Sequence, residues 1–357
     1  MLEMASEPGC VDADRVRSCP REAARSARAK VLWPFSFLQE RVAMVTCSRR
    51  LLLLLTVVLA CPQVAALHGA DPFSVVLLPD TQNYSEKYPE TYIAQTLWIR
   101  QQLKQDNIKF AIHLGDIVQT AGQEPEWENA SLAMRLLDGV VPYSVAPGNH
   151  DMIVMGRDTS LYNKYFSPAR FSSRKWYGGH LGETNDNNYC FFEGGGRKFM
   201  VINLEFAPRD EALQWAASIA AQHPTHHVIV ATHCYMRPDG RDKNTPEAYK
   251  IAGNSGEQMW QKLIRKQPNI FFVVSGHVLG VARQTSVNDA GHKVLEMLTD
   301  YQGLENGGDG WLRTITIDVA ASEIRVRTYS PTLRQANEDP QETFTLPWKF
   351  PDLQSKE

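Results

Sequence analysis

Five short apolar runs recur along the chain, and each is followed within a few residues by a polar side chain that can bind a metal ion. The runs lie at 73–78, 110–114, 140–146, 228–231 and 270–275. Continuous apolar runs of this length indicate strands buried on both faces. Two segments with apolar residues at helical spacing, 90–105 and 126–137, separate the first three runs. Strands that alternate with helices predict an α/β fold.

The polar residues after these strands carry carboxylates, amides and imidazoles. They are Asp80 and Gln82, Asp116, Asn149 and His150, His233, and His277. The carboxyl ends of strands are where α/β folds place their sites. Each residue alone has an ordinary structural explanation, as a turn residue, a helix cap or a hydrogen-bonded buried histidine. Five such positions at five core strand ends favour a shared metal site.

The stretch Pro147-Gly148-Asn149-His150-Asp151 is the densest of these polar segments. Pro and Gly end the preceding strand and turn the chain. The amide oxygen of Asn149 can bind a cation, and the imidazole of His150 can transfer a proton. An Asx-type turn after a strand is the structural alternative. The residues at the other strand ends favour the metal site.

The order of these motifs resembles the calcineurin-like metallophosphoesterase family over about residues 72–330. The matching segments are Asp80-Thr81-Gln82, Gly115-Asp116, Gly148-Asn149-His150-Asp151, His233 and Gly276-His277. The resemblance implies a four-layer αββα sandwich of two mixed sheets flanked by helices. Secreted members of the family look similar to this chain in Pro79-Asp80-Thr81-Gln82 and Asp300-Tyr301-Gln302. We therefore expect a phosphoesterase domain over 72–335 and a polar C-terminal tail over 336–357.

The resemblance also implies two divalent metal ions bridged by Asp116. One ion would bind Asp116, Asn149, His233 and His277, and the other would bind Asp80, Gln82 and Asp116. Carboxylate, amide and imidazole ligands suit Mn, Fe or Zn better than Ca. A metal-bound hydroxide would attack the phosphorus atom, and His150 would protonate the leaving alkoxide or steady the phosphoryl oxygens. Asp151 would orient His150 through a hydrogen bond.

Two positions depart from the family pattern and weaken one of the metal sites. Gln82 stands where the first motif usually has a metal-binding His, and Leu279 stands where the last motif usually has a second His. One ion is therefore expected to bind more weakly, unless another residue replaces the lost imidazole. The candidates for that replacement are His113, His180, Glu205 and Asp300. Gln119 stands where purple acid phosphatases carry an iron-binding Tyr, so that subclass is not expected.

The resemblance implies a metal-dependent enzyme that hydrolyses phosphomonoesters or phosphodiesters, with a small phosphoester as its substrate. The alternative is a catalytically silent metal-binding protein that keeps the phosphoesterase fold, which Gln82 and Leu279 favour. Retention of His150 and Asp151 favours the enzyme, because neither is needed merely to hold a metal ion. A serine or cysteine hydrolase has little support, because no G-x-S-x-G nucleophile elbow is present. The formal net charge of −3 at pH 7 argues against nucleic-acid binding.

The N-terminal segment has the composition of a secretory signal that is displaced from the first residue. Arg49 and Arg50 precede the apolar run 51–60, and Val64-Ala65-Ala66 offers small residues for cleavage. We therefore expect a signal peptide over 44–66, translation from Met44, and a secreted or lumenal protein. If the segment stays uncleaved, residues 51–67 would anchor the protein in a membrane. Residues 1–43 show no apolar periodicity and are expected to be a disordered extension or to lie upstream of the true start.

Two cysteines follow that segment, Cys190 and Cys234. Two thiols permit a single disulfide, and two free buried thiols are an equal alternative. The small number of cysteines after residue 66 agrees with export only weakly.

Overall fold

The computed structural model describes residues 70–154 and 156–353 of the chain. The expected extension at 1–43, the signal peptide at 44–66 and the anchor at 51–67 lie outside the described residues. Within the described ranges, no helix is both long and apolar enough to cross a bilayer.

The described residues form sixteen strands and eight α-helices, most of them short. The strands are β1 (Phe73–Leu78), β2 (Ile108–His113), β3 (Tyr143–Ser144), β4 (Tyr177–His180), β5 (Asn188–Gly194), β6 (Arg197–Leu204), β7 (His227–Thr232), β8 (Met236–Arg237), β9 (Gly240–Arg241), β10 (Ile270–Ser275), β11 (Gly280–Val287), β12 (Lys293–Asp300), β13 (Leu312–Asp318), β14 (Glu323–Ser330), β15 (Gln335–Asn337) and β16 (Phe344–Pro347). The α-helices are α1 (Gln82–Lys87), α2 (Pro89–Gln102), α3 (Glu124–Arg135), α4 (Ser160–Tyr165), α5 (Pro168–Phe171), α6 (Asp210–Gln222), α7 (Thr245–Ala248) and α8 (Gly256–Lys262).

The strands form two mixed seven-stranded sheets and a separate two-stranded ribbon. In the first sheet the order is β15-β14-β13-β1-β2-β3, with β16 also paired to β14. In the second sheet the order is β11-β12-β10-β7-β6-β5-β4, and β8 with β9 forms the ribbon. Strands β1, β2 and β3 are parallel, as are β6, β7, β10 and β12. Within each parallel set, all carboxyl ends therefore lie at the same edge of the sheet.

Alternate residues of β1 pack into different apolar clusters, which explains its continuous apolar sequence. Val75 and Leu77 pack between the two sheets, whereas Val76 and Leu78 pack on the outer face against helices that include α2 and α3. The outer face of the second sheet is covered in the same way by α6 and α8. The layers are thus helix, sheet, sheet, helix. The predicted α/β fold and its sandwich of two mixed sheets flanked by helices are confirmed.

The strand predicted at 140–146 is reduced to the two residues of β3. Val140 and Val141 instead complete the turn after α3, where the backbone N–H groups of both donate to the carbonyl of Leu137. The apolar side chain of Val141, which contributed to the strand prediction, packs into the core from this turn. The short β3 still directs the following loop toward the same edge as β1 and β2.

The C-terminal segment 336–357, predicted to be a tail outside the domain, contributes to the first sheet. Both β15 and β16 pair antiparallel with β14. Beyond them, Trp348 and Phe350 pack into the core between the sheets and are only 3% and 5% exposed. The sequence did not predict these strands because they lie on a sheet edge, where polar residues are tolerated on both faces and no apolar run is needed. The described domain continues to residue 353 and does not end at 335.

Cys190 and Cys234 are both buried free thiols, so the disulfide alternative is excluded. Cys190 packs in the core between the sheets, and Cys234 Sγ lies 3.1 Å from the hydroxyl of Thr245. Burial raises the pKa of Cys190 far above its usual range and raises the pKa of Cys234 to about 12. Neither thiol is a thiolate at neutral pH, which removes the remaining support for a cysteine hydrolase.

Replacing Trp348 with Ala is expected to lower the free energy of unfolding by about 3–5 kcal/mol, because truncating a buried Trp leaves a cavity. The matched control is Leu333→Ala, since Leu333 is 46% exposed and is expected to change stability by about 0.5 kcal/mol or less. Urea denaturation followed by circular dichroism measures both variants. Equal stability of the two variants would contradict the packing of the C-terminal segment in the core.

Candidate metal centre

The predicted ligands lie in loops that follow the parallel strands of both sheets. Asp80 comes two residues after β1, Asp116 three after β2, and Asn149 five after β3. In the second sheet, His233 follows β7 directly and His277 comes two residues after β10. The loops meet where the two sheets present their parallel strand ends together. Ligand atoms of Asp116, His233 and His277 all lie within 4.8 Å of one another.

His233 is at the centre of this cluster. Its Nε2 atom lies 3.1 Å from Asp116 Oδ2, 3.1 Å from Asn149 Oδ1 and 3.2 Å from His277 Nδ1. Four possible ligand atoms from four loops therefore face one another. These are the four residues that the sequence assigned to the more tightly bound metal ion.

The hydrogen bonds of His233 define which of its ring nitrogens is free. Nδ1 lies 3.0 Å from the carbonyl oxygen of Leu114. A carbonyl only accepts, so in the neutral ring Nδ1 carries the proton and Nε2 has a lone pair. That lone pair faces the oxygens of Asp116 and Asn149, which are also acceptors. Acceptors that converge in this way need a cation among them, either a proton or a metal ion.

In the metal-free protein, the charges of the cluster favour a proton at this position. Burial lowers the pKa of His233, but the charge of Asp116 and its hydrogen bond outweigh burial, so the pKa is raised. Burial raises the pKa of Asp116, but the same interaction with His233 outweighs it, so that pKa is lowered. Metal ligands bind in their deprotonated form, so a metal ion at this site would displace the proton.

Asp80 and Gln82 lie beside the cluster, and each has one oxygen atom without a partner. Asp80 Oδ1 accepts the backbone N–H of His277 at 3.0 Å, and Gln82 Nε2 donates to Gln119 Oε1 at 3.0 Å. Asp80 Oδ2 and Gln82 Oε1 are buried and have no hydrogen-bond partner within the described part of the chain. Unpaired buried acceptors are costly. Their positions fit a second cation with fewer and weaker ligands than the first.

Three of the ligand residues adopt a left-handed backbone. The φ angles of Asp80, Asp116 and His277 are 36°, 49° and 73°. Such angles are uncommon outside glycine and cost about 1–3 kcal/mol each, so they persist only where surrounding interactions hold them. Backbone strain at these positions is consistent with a site where ligand direction matters more than local stability.

Two motif glycines are required because the carboxylates leave no room for a side chain. A Cβ atom on Gly148 would lie 2.1 Å from Asp116 Oδ1, and one on Gly276 would lie 2.1 Å from Asp80 Oδ2. Real Cβ contacts of this length do not occur. The glycines therefore allow the neighbouring loops to close around the two carboxylates.

His150 is held by the backbone and not by Asp151, so the predicted hydrogen bond between these two side chains is wrong. His150 Nδ1 donates to the carbonyl of Gln119 at 2.6 Å. The backbone N–H of His150 donates to Asp116 Oδ1 at 2.9 Å. With Nδ1 occupied and the ring only half-buried, Nε2 is the nitrogen available to give or take a proton.

Asp151 connects two of the loops that carry the ligands. Its Oδ1 accepts the backbone N–H groups of Ile117 and Val118 at 2.8 and 3.0 Å, and its Oδ2 accepts that of Gly148 at 2.8 Å. Burial and the charge of Asp116 raise the pKa of Asp151 to about 7, although these bonds oppose the rise. One carboxyl group thus fixes the loop after β2 against the loop after β3, and its position suits a positioning residue.

His113, one of the candidates to replace the imidazole missing at Leu279, is committed elsewhere. Its Nδ1 accepts the backbone N–H of Gly115 at 3.2 Å, so its Nε2 carries the proton and donates to the hydroxyl of Thr81 at 2.9 Å. Burial and the neighbouring His233 lower the pKa of His113 to about 3. His113 is therefore a neutral support beneath the ligand loops, with no free nitrogen for a metal ion.

Glu205 and His180 are also engaged away from the ligand cluster. Glu205 forms an ion pair with Arg209 at 2.8 Å, and the ring of His180 stacks on that of Tyr177 at a centroid distance of 6.3 Å. Neither belongs to the group of ligand atoms around His233.

Asp300 is the fourth candidate to replace the imidazole missing at Leu279, and its charge raises the pKa of Asp80 in the weaker metal site. It is the last residue of β12 and is 1% exposed. Burial raises the pKa of Asp300 to about 6. After burial, the charge of Asp300 is the largest cause of the raised pKa of Asp80. Both oxygens of Asp300 accept hydrogen bonds from Gln302, so its part at the site is electrostatic in the described geometry.

The sequence pattern did not indicate the roles of Gln119, Phe206 and Tyr249. Gln119 orients both Gln82 and His150 through its side-chain and backbone oxygens. The rings of Phe206 and Tyr249 lie 5.4 and 5.7 Å from that of His277. Gln119 was detectable because it lies three residues after Asp116 in the same loop. The two aromatic residues come from distant loops and had no sequence signal.

Comparisons with known proteins agree with this geometry. The sequence model of the calcineurin-like phosphoesterase family matches residues 73–280. The chain belongs to this family. It is 32% identical over 274 residues to the uncharacterized protein YvnB of Bacillus subtilis (strain 168), a match that covers 75% of this chain and 20% of that protein. The chain thus spans about a fifth of the length of that relative.

Among solved structures, the chain is similar to the purple acid phosphatase PPD1 from yellow lupin (Lupinus luteus) seeds. The TM-score is 0.52 and the sequence identity is 13%, with coverage of 80% of this chain and 55% of that chain. At this identity the similarity shows the shared fold alone.

Replacing Gly148 with Ala is expected to weaken Mn binding about 10–100-fold, the usual effect of disturbing groups that hold metal ligands in place. The reason is the contact of the added Cβ with Asp116 Oδ1. The control is Gly122→Ala, since a Cβ on Gly122 meets no atom within 4 Å. Equilibrium dialysis of the full chain followed by elemental analysis gives both affinities. Unchanged affinity in Gly148→Ala would contradict the role of this glycine.

His113 makes the free energy of unfolding of the metal-free protein depend on pH. Its pKa is about 3 in the folded state and 6.5 as a reference for the unfolded state. The stability that the neutral ring provides is complete above pH 6.5 and is lost as the pH falls toward 3. The stability advantage of the native chain over His113→Gln is therefore expected to shrink by about 1.4 kcal/mol per pH unit below pH 6.5. Urea denaturation of chelator-treated protein at pH 7.5, 6 and 5 tests this, and a pH-independent difference would contradict it.

Proposed function

We propose that this protein is a metal-dependent phosphoesterase that hydrolyses phosphomonoesters or phosphodiesters. The observation that carries the proposal is the convergence of Asp116, Asn149 and His277 on His233 Nε2, with the imidazole of His150 beside them. A divalent metal ion held there supplies polarisation of a phosphoryl group and acidification of a water molecule. The ligand chemistry suits Mn, Fe or Zn.

The residues around the cluster are assigned proton transfer, orientation of the His150 ring and positioning of the loops. Asp116 connects the ligand cluster to the loop that carries His150, because its Oδ2 faces His233 and its Oδ1 accepts the backbone N–H of His150. His150 Nε2 protonates the leaving alkoxide, and the carbonyl of Gln119 keeps that ring in the required tautomer. Asp151 acts through the backbone by holding the two loops together. This last role replaces the direct contact with His150 expected from the sequence.

The two metal sites are proposed to differ in affinity. The first has two imidazoles, an amide and a carboxylate, all in contact with one another. The second has Asp80, Gln82 and the shared Asp116, and Leu279, whose methyl groups lie against Gly303, offers it no ligand atom. Fewer and weaker ligands predict weaker binding. The same deficit is what favours the second candidate function, a silent metal-binding protein.

The proposed substrate is a small phosphoester and not a nucleic acid, because the chain has a negative formal charge and no basic surface was indicated by its sequence. Gln119 accepts from Gln82 at the position where purple acid phosphatases have a ligating Tyr, so we do not assign the chain to that subclass. Residues 44–66 remain the basis for a proposed secreted or lumenal location, or for a membrane anchor at 51–67 if they are retained.

Metal removal and replacement test the proposed reaction. The full chain is stripped with a chelator, and Mn, Fe or Zn is restored during hydrolysis of p-nitrophenyl phosphate and bis-p-nitrophenyl phosphate. We expect turnover only with metal. His150→Asn is expected to lower kcat about 10²–10⁴-fold, the usual contribution of a general acid, with unchanged metal content. Asp116→Asn is expected to lose both metal and turnover.

The matched control for His150→Asn is His180→Asn, which changes a histidine on β4 and should keep full activity. A folded, metal-loaded chain that hydrolyses neither ester with any of the three metals would favour the silent metal-binding protein. Turnover that persists in His150→Asn would instead retain the enzyme and assign the proton transfer to another group.

A further inference from the structure

A cavity of about 220 Å³ lies beside the metal centre. Its apolar lining includes Leu279, Val281 and Leu304, and we call it the Leu279–Leu304 cavity. Leu279 comes two residues after the candidate ligand His277. It also occupies the position where the family pattern has a metal-binding imidazole. The residue that departs from the pattern therefore lines a cavity next to the site.

Asp300 links the cavity to the surroundings of the weaker metal site, because it lines the cavity and its charge acts on Asp80. Asp300 lines the cavity and pairs with Gly280 across β11 and β12. β12 is the parallel neighbour of β10, whose end carries His277. The loop after Asp300 also contacts α1, because the side chain of Asn83 donates to the carbonyl of Gln302 at 3.1 Å. The cavity and the weaker metal site are therefore bordered by neighbouring segments, those that contain Asp300 and Asn83.

The carboxylates of the cavity already have partners within the protein. Both oxygens of Asp300 accept from Gln302. Glu342 is paired with the buried Arg313 and accepts the hydroxyl of Tyr301 at 2.7 Å. The lining therefore offers a bound molecule mainly hydrocarbon surface, since its polar groups are satisfied.

The exposed leucines of the cavity do little for the stability of the fold. Leu279 and Leu304 are 56% and 53% exposed, and they are among the five large apolar residues in the described ranges that are more than half exposed. Gly303 makes room for Leu279, because a Cβ there would lie 2.8 Å from both its methyl groups. Two exposed leucines that share one concave surface indicate a place that another apolar group covers.

We infer that the Leu279–Leu304 cavity binds the hydrocarbon part of the alcohol in the phosphoester substrate. The inference rests on the proposed function and narrows it to esters of alkyl or aryl alcohols. A volume of about 220 Å³ corresponds to roughly seven water molecules at ~30 Å³ each, enough for a chain or ring of about six carbons. Esters of small polar alcohols leave this surface uncovered and gain nothing from it.

Two alkyl esters of different polarity test the inference on the metal-loaded full chain. Phosphate release from n-hexyl phosphate is expected to have a kcat/KM at least about tenfold above that from glycerol phosphate, because several methylene groups leave water. Leu304→Ser is expected to remove most of this preference and to leave glycerol phosphate hydrolysis within about twofold of the native chain. Leu279→Ser provides a second variant, and Leu333→Ser is the control for an exposed leucine outside the cavity.

A binding measurement separates this inference from the proposed reaction. Hexylphosphonate and methylphosphonate are titrated into the same proteins by calorimetry, and neither requires turnover. Preferential binding of hexylphosphonate that Leu304→Ser abolishes supports the cavity even if no ester is hydrolysed. Hydrolysis of both esters with equal kcat/KM, together with equal affinity for both phosphonates, would overturn the cavity and leave the phosphoesterase intact. An equal loss in Leu333→Ser would also overturn it.

Discussion

Possible ligand atoms from four separate loops converge at His233 Nε2, and the rest of the site is arranged around this convergence. Asp116, Asn149 and His277 each bring an oxygen or nitrogen to about 3.1 Å or 3.2 Å from that atom. A proton can satisfy one pair of acceptors, whereas a metal ion can satisfy all four. The raised pKa of His233 and the lowered pKa of Asp116 have the directions expected when the two groups stabilise a shared proton. Metal binding and proton release are therefore coupled at this point.

The backbone around the candidate metal site adopts conformations of high local energy, and the packing of the two sheets offsets this energy. Asp116 and His277 adopt left-handed angles, and Gly148 allows its loop to approach the Asp116 carboxylate too closely for any side chain. Asp151 holds the two loops of the first sheet together through three backbone N–H groups. Two closely packed sheets provide rigid strand ends, so these unfavourable local geometries do not relax.

The convergence of the candidate ligands was predictable because each of them obeys a local rule. Asp80, Asp116 and His277 follow buried strands closely, and parallel strands place their carboxyl ends together. The long-range partners were not predictable in this way. The hydrogen bonds of Asp151 depend on backbone groups of another loop, and β15 and β16 join an exposed edge without a strong apolar pattern. The fold class followed from periodicity, whereas the orientation of His150 depended on the position of a single carbonyl, that of Gln119.

The substitution at Leu279 bears on whether the protein is an enzyme or a silent metal binder. Its side chain is half exposed, so it adds little to folding, and it ligates nothing, so it adds nothing to metal binding. A silent protein gains no stability from an apolar side chain in water beside the site. An enzyme gains binding energy from Leu279 if the substrate carries a hydrocarbon group. Such a contact would also help to orient the reacting phosphoryl group relative to His150 and the ligand cluster. Under the proposed function, the residue that stands in place of a metal-binding imidazole thus also contributes to the binding of an apolar ester.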